Sequence, residues 1–124
     1  MFVYPDKRKL ARPTNTNQHW PAPVTDVFPR TEYSEAQKLP AAIKATGNDI
    51  KDVKAVIMGH LHLDHAGGLE HFVDTGLPIY AHEEAFKHAC WAVATGADLG
   101  VYLGQYMLLE KLNWNTFTDE HLDL

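Results

Sequence analysis

Residues 60–65 read His-Leu-His-Leu-Asp-His, which places four metal-binding side chains, His60, His62, Asp64 and His65, within six positions. Imidazole together with carboxylate suits zinc, and also iron, manganese or cobalt; the donor set alone does not choose among them. An isolated histidine is more often a surface or satisfied core residue than a ligand. Four donors at this density, behind an apolar run and ahead of paired glycines, reverse that balance. Side chains alternate along an extended segment, so His60 and His62 face one side and can grip one cation. Once the chain turns after His62, adjacent Asp64 and His65 can reach a second position nearby. Two metals about 3.5–4 Å apart form a clamp that acidifies a shared water and polarises a carbonyl or phosphoryl oxygen.

The elements around this stretch must hold it in place. Ala55-Val56-Ile57-Met58 predicts a buried strand over 54–58 that stops at Gly59 and delivers the donors into a tight turn. Gly67 and Gly68 follow; lacking Cβ, they permit positive φ and a close backbone approach to the site. Upstream, Ser34 with Gln37 resembles a capping box, and the apolar spacing over 35–46 predicts a helix closed by Gly47. Pro40 lies inside that run, so the helix proper starts close to it or kinks there. Downstream, residues 69–73 read as a short helix and 78–81 as a second strand. Residues 83–94 read as a helix whose apolar stripe is Ala85, Phe86, Ala89, Cys90 and Val93. Helix, strand, helix, strand, helix is an α/β layered order. Residues 99–112 read as a buried or interface segment, and residues 113–124 can begin another strand.

Bulk properties narrow the function classes. The chain has 124 residues, room for one domain at most, and 45% hydrophobic residues argue against disorder. A formal net charge of −5 gives no basic footprint for nucleic acid. No apolar run approaches a membrane span, so no membrane partner is expected. The single cysteine, Cys90, cannot form an internal disulfide, and its apolar neighbours predict a packed, inert thiol; a reducing, cytoplasmic setting is the expectation. Residues 1–30 carry prolines at positions 5, 13, 21, 23 and 29 and are expected to be irregular, suiting neither a helix interior nor a central strand. The basic cluster Lys7-Arg8-Lys9 with Arg12 reads as a solvated tail.

The pattern His-x-His-x-Asp-His after an apolar strand resembles the signature of the metallo-β-lactamase superfamily. HLHLDHAGGL is similar to its lactonase branch, the acyl-homoserine-lactone and pyridoxolactone-type hydrolases. DVFPRTEY (26–33), GLPIYAHEEAFKHA (76–89) and ATGADLGVYL (94–103) resemble that branch too, so the likeness runs over about residues 24–124 and leaves 1–23 as an irregular N-terminal segment. The resemblance implies an α/β fold, part of the αββα sandwich, and a metal-dependent hydrolase acting on a small lactone or ester. Zinc would be held by His60, His62, Asp64 and His65, as two ions in a complete domain. A metal-held hydroxide would open the lactone ring, with Asp64 passing a proton to the departing alkoxide. A thioester hydrolase of the glyoxalase II kind uses the same motif. In the family's order a later histidine, a bridging aspartate and a final histidine lie past residue 124, so the resemblance also implies a partial domain with both ends missing. Such a domain is either completed by a partner, such as a second copy in a homo-oligomer, or catalytically incompetent.

The remaining histidines carry weaker expectations. His82 follows a strand and is the best placed of them to touch a metal or substrate; His71 and His88 read as surface residues. His121 does not sit in the Gly-His turn that the family uses downstream. Tyr102 and Tyr106 remain open as pocket residues.

Overall fold

The computed structural model describes residues 2–5, 26, 35–98, 102 and 104–118. Its centre is a four-stranded sheet in the order β1-β2-β3-β4, built from Phe2–Pro5 (β1), Val53–Met58 (β2), Pro78–His82 (β3) and Asn113–Phe117 (β4). β2, β3 and β4 run parallel, and β1 pairs antiparallel with β2. Parallel neighbours require crossovers, and helices supply them: α2 (Leu63–Ala66) lies between β2 and β3, while α3 (Glu83–Thr95) and α4 (Gly104–Met107) lie between β3 and β4. A further helix, α1 (Leu39–Ala45), precedes β2. This is the α/β order expected from the sequence.

β2 is buried at Val53, Ala55, Val56 and Met58, as a strand covered on both faces should be. β3 alternates, with Ile79 and Ala81 buried between half-buried neighbours. Ile43 from α1, Leu69 and Phe72 from a 3-10 turn, Ala89 from α3 and Met107 from α4 complete one continuous core. α3 also contributes Phe86, whose ring lies 5.0 Å from that of Trp114 on β4. The Trp114 indole donates to the Met107 carbonyl at 3.0 Å, which ties β4 to α4.

Several local expectations meet their physical limits here. Residues 35–46 divide into a 3-10 turn (Glu35–Gln37) and α1, with Lys38 at the N-cap and proline in the first turn of the helix. Proline's missing N–H has no partner to lose at that position. Gly47 then takes φ +82, as expected of a residue closing the helix. Ser34 and His121 lie outside the described residues, as do the basic cluster and residues 99–101. Residues 2–5 form a strand where irregular chain was expected. β1 is an edge strand, and its register slips between Tyr4 and Pro5, where a residue without an N–H is tolerated.

Candidate metal centre

β2 ends at Met58, and the donors follow directly from its C-terminal end. Although residues 59–62 are no longer strand, the in-out alternation continues through them. Leu61 is buried in the core at 1% exposure, and His60 and His62 on either side of it are half-buried with ring centroids 4.6 Å apart. Burying Leu61 therefore drives both imidazoles to the other side of the chain. His62 then serves as the N-cap residue of α2, which takes the place of the expected tight turn and carries Asp64 and His65 in its single turn.

Three of the four candidate side chains share one position, and His65 stands beside them. His60, His62 and Asp64 offer ligand atoms that all lie within 4.8 Å of one another. The His65 ring lies 3.9 Å from that of His60, and its Nε2 is 3.3 Å from Asp64 Oδ2. Nitrogen and oxygen ligands at about 2.0–2.2 Å from one zinc sit roughly 3–4 Å apart. The His60-His62-Asp64 spread, within 4.8 Å, is close to that range, so the donors fit a divalent metal. Burial holds the His60 pKa below the usual imidazole value, helped by the neighbouring His65 and His62 and opposed by Asp64. A neutral imidazole keeps its lone pair free for a cation, so this environment favours ligation.

The backbone after α2 departs from expectation at one glycine. Gly68 takes φ +93, a left-handed conformation suited to a residue without Cβ, and its N–H donates to the Glu70 carboxylate at 2.7 Å. Gly67 lies at φ −62, so only Gly68 takes the positive φ expected of both.

The other histidines distribute differently. His82 does not join the cluster: its Nδ1 accepts the Glu84 N–H at 3.3 Å to cap α3, and its ring packs on Phe117 at 5.5 Å. His71 and His88 are exposed, as expected. Yet His88 is tied indirectly to the site. Its ring lies 5.4 Å from Tyr102, which in turn packs at 4.7 Å against His62. Spacing along the chain gives no sign of this link, because His88 and Tyr102 flank the end of α3 far from the motif. Cys90 is half-buried and unpaired, and burial pushes its thiol pKa up, in keeping with an inert role. No helix among the described residues is long and apolar enough to cross a membrane.

Residues 24–99 match the family model described as Metallo-beta-lactamase superfamily. The chain is 36% identical over 88 residues to an N-acyl homoserine lactonase AiiB from Agrobacterium fabrum (strain C58 / ATCC 33970). It is 35% identical over 88 residues to an N-acyl homoserine lactonase AiiB from Rhizobium rhizogenes (strain K84 / ATCC BAA-868). Each alignment covers 71% of this chain and 31% of the relative, so the chain spans about a third of the length of the curated relatives it matches. A solved structure described as "Indirect contributions of mutations underlie optimization of new enzyme function" superposes with a TM-score of 0.57 at 22% identity, covering 75% of this chain and 33% of that one. That likeness concerns the fold alone, and it agrees with part of a larger α/β sandwich. The match over residues 24–99 contains the whole donor cluster, and on that ground the chain belongs to the metallo-β-lactamase superfamily, a family of metal-dependent hydrolases.

Proposed function

We propose that this chain carries the metal-binding segment of a hydrolase that opens lactone rings. The observation that carries the reading is the convergence of His60, His62 and Asp64 within 4.8 Å at the end of β2. The similarity to two proteins named as N-acyl homoserine lactonases supports a lactone over other esters. His60, His62, Asp64 and His65 would hold the metal, zinc by likeness to the family, as two ions in a complete domain. When bound, the metal supplies an acidified water and a Lewis-acid contact for the substrate carbonyl. His60 and His62 contribute imidazole nitrogens from either side of the buried Leu61. Asp64, exposed at the start of α2, would take the proton that the attacking water gives up and return it to the departing alkoxide oxygen.

Elemental analysis of the purified chain, beside a His60→Ala, His62→Ala double variant, tests the metal. Metal bound by the native chain and lost in the double variant supports the reading. Metal content no higher than in the double variant refutes it for this chain and leaves a catalytically incompetent segment. The metal-loaded chain is then offered an acyl-homoserine lactone and a glutathione thioester side by side. Preference for the thioester would replace the lactonase reading with one of the glyoxalase II kind. Size-exclusion chromatography of the same samples shows whether a second copy accompanies activity.

A further inference from the structure

We propose that Tyr102 is a positioning residue for the metal centre, holding the His62 imidazole edge-on in the orientation it needs to ligate. The inference rests on the metal-binding reading above and assigns the orientation of one donor to a residue outside the motif.

A metal-ligating histidine is ordinarily oriented by its second ring nitrogen, which donates to a carboxylate, a carbonyl or water. His62 stands at the head of α2, but its side chain makes no capping hydrogen bond there. Instead, its ring sits between two others at nearly right angles. The His60 ring lies 4.6 Å away at 87°, and the Tyr102 ring 4.7 Å away at 85°. Edge-to-face contacts at such separations are favourable and directional. Because His60 is itself a candidate ligand, it is a poor independent reference. Tyr102 is the better one.

Tyr102 has its own support. It packs against the hydrophobic core, and on another side it meets the His88 ring at 5.4 Å and 70°. His88 projects from α3, and its Nε2 lies 3.6 Å from Asp98 Oδ2 just beyond that helix. The line from α3 through His88 and Tyr102 to His62 thus links the longest helix among the described residues to a donor on the loop after β2. A ligand whose rotamer is locked by packing loses less freedom when the metal arrives, which raises affinity without adding a contact to the metal.

The test measures zinc affinity of the full chain by competition with a chromophoric chelator, for wild type, Tyr102→Phe, Tyr102→Leu and His62→Ala. Tyr102→Phe keeps the ring and is expected to bind like wild type. Tyr102→Leu keeps apolar volume but loses the planar edge, and is expected to bind about tenfold more weakly, the size seen when an outer partner of a metal-ligating histidine is lost. With cobalt as the probe, the visible absorption bands shift in the leucine variant and not in the phenylalanine variant. Wild-type affinity in Tyr102→Leu, or weakened binding in Tyr102→Phe, overturns the inference while leaving the metal site intact. No binding by wild type, or equal binding by wild type and His62→Ala, defeats the metal-binding reading itself. If Tyr102→Leu does not fold, nuclear Overhauser contacts between the Tyr102 and His62 rings in the wild-type chain decide the matter. Their presence with and without zinc is expected, and their absence in both states refutes the clamp.

Discussion

Leu61→Ala separates the two roles assigned to the residue between the first two donors. Leu61 is 1% exposed and belongs to the core that joins β2 to the segments after it. Truncating a leucine in such a site removes its transfer free energy and leaves a cavity, together about 3–5 kcal/mol. For a domain whose total stability is on the order of 5–15 kcal/mol, that is a large part of the whole. The second role predicts an additional, metal-dependent loss. With free zinc at about one hundred times the wild-type Kd, binding adds about 2.7 kcal/mol to folding stability. If loss of the anchor weakens zinc tenfold, the variant gains only about 1.4 kcal/mol under the same conditions. The stability gap between wild type and variant should therefore widen by about 1.3 kcal/mol when zinc is present. Urea unfolding followed by circular dichroism, with free zinc buffered at a set level and again with chelator, measures both gaps. Leu61→Met, which conserves volume, is the control and should cost less than about 1.5 kcal/mol in either condition. An alanine variant that loses stability equally with and without zinc would show that Leu61 is core alone. One that loses none would refute its burial.

Three further outcomes follow from particular residues. Because the folded-state pKa of His60 is depressed, chiefly by burial and then by His65 and His62, its contribution to stability is present above the ordinary imidazole value of 6.5 and lost as pH falls through the depressed value. Metal-free unfolding midpoints should therefore fall on acidification below pH 6.5, and His60→Asn should flatten that slope; an unchanged slope would contradict the assigned environment. The raised Cys90 thiol pKa predicts slow alkylation by iodoacetamide at pH about 8 in the folded chain and fast alkylation in urea, read by mass spectrometry, since the thiolate is the reactive form. Gly76 takes φ +69 with no atom within 4 Å of an added Cβ, so Gly76→Ala should cost about 1–2 kcal/mol from backbone strain alone, measured as a lowered unfolding midpoint.

The donors, the strand that presents them and the α/β order were legible because each is a local pattern. Four ligand types at close spacing, an apolar run and a glycine stop need only neighbouring residues to be read. Helix α1 began beside Pro40 for an equally local reason. Where the reading fell short, the deciding partner lay elsewhere in the chain. β1 exists because Phe2, Val3 and Tyr4 find Ile57, Val56 and Ala55 across an antiparallel register, a pairing no window around residues 2–5 contains. Gly67 and Gly68 look alike in sequence, yet Gly68 takes positive φ and Gly67 does not, because the path into the following 3-10 turn asks for one reversal only.

The same division runs through the candidate centre. Two short segments, the His60-Leu61-His62 loop and the α2 turn, supply every donor in the cluster, so its chemistry is written in six consecutive residues. Its stiffness comes from contacts that reach beyond them: from Leu61, which shares one buried core with Val56, Ile79 and Leu69, and from Tyr102 with His88 of α3 behind it. Close donors on a loop and a one-turn helix have little rigidity of their own, since an isolated turn is not a stable helix. A cation gains from such donors only to the extent that their rotamers are fixed before it arrives. Substitutions of the donors should therefore abolish metal binding, whereas substitutions at Leu61 and Tyr102 should weaken it by a graded amount. That contrast sets the chemical part of the site apart from the architectural part, and it can be measured without any substrate.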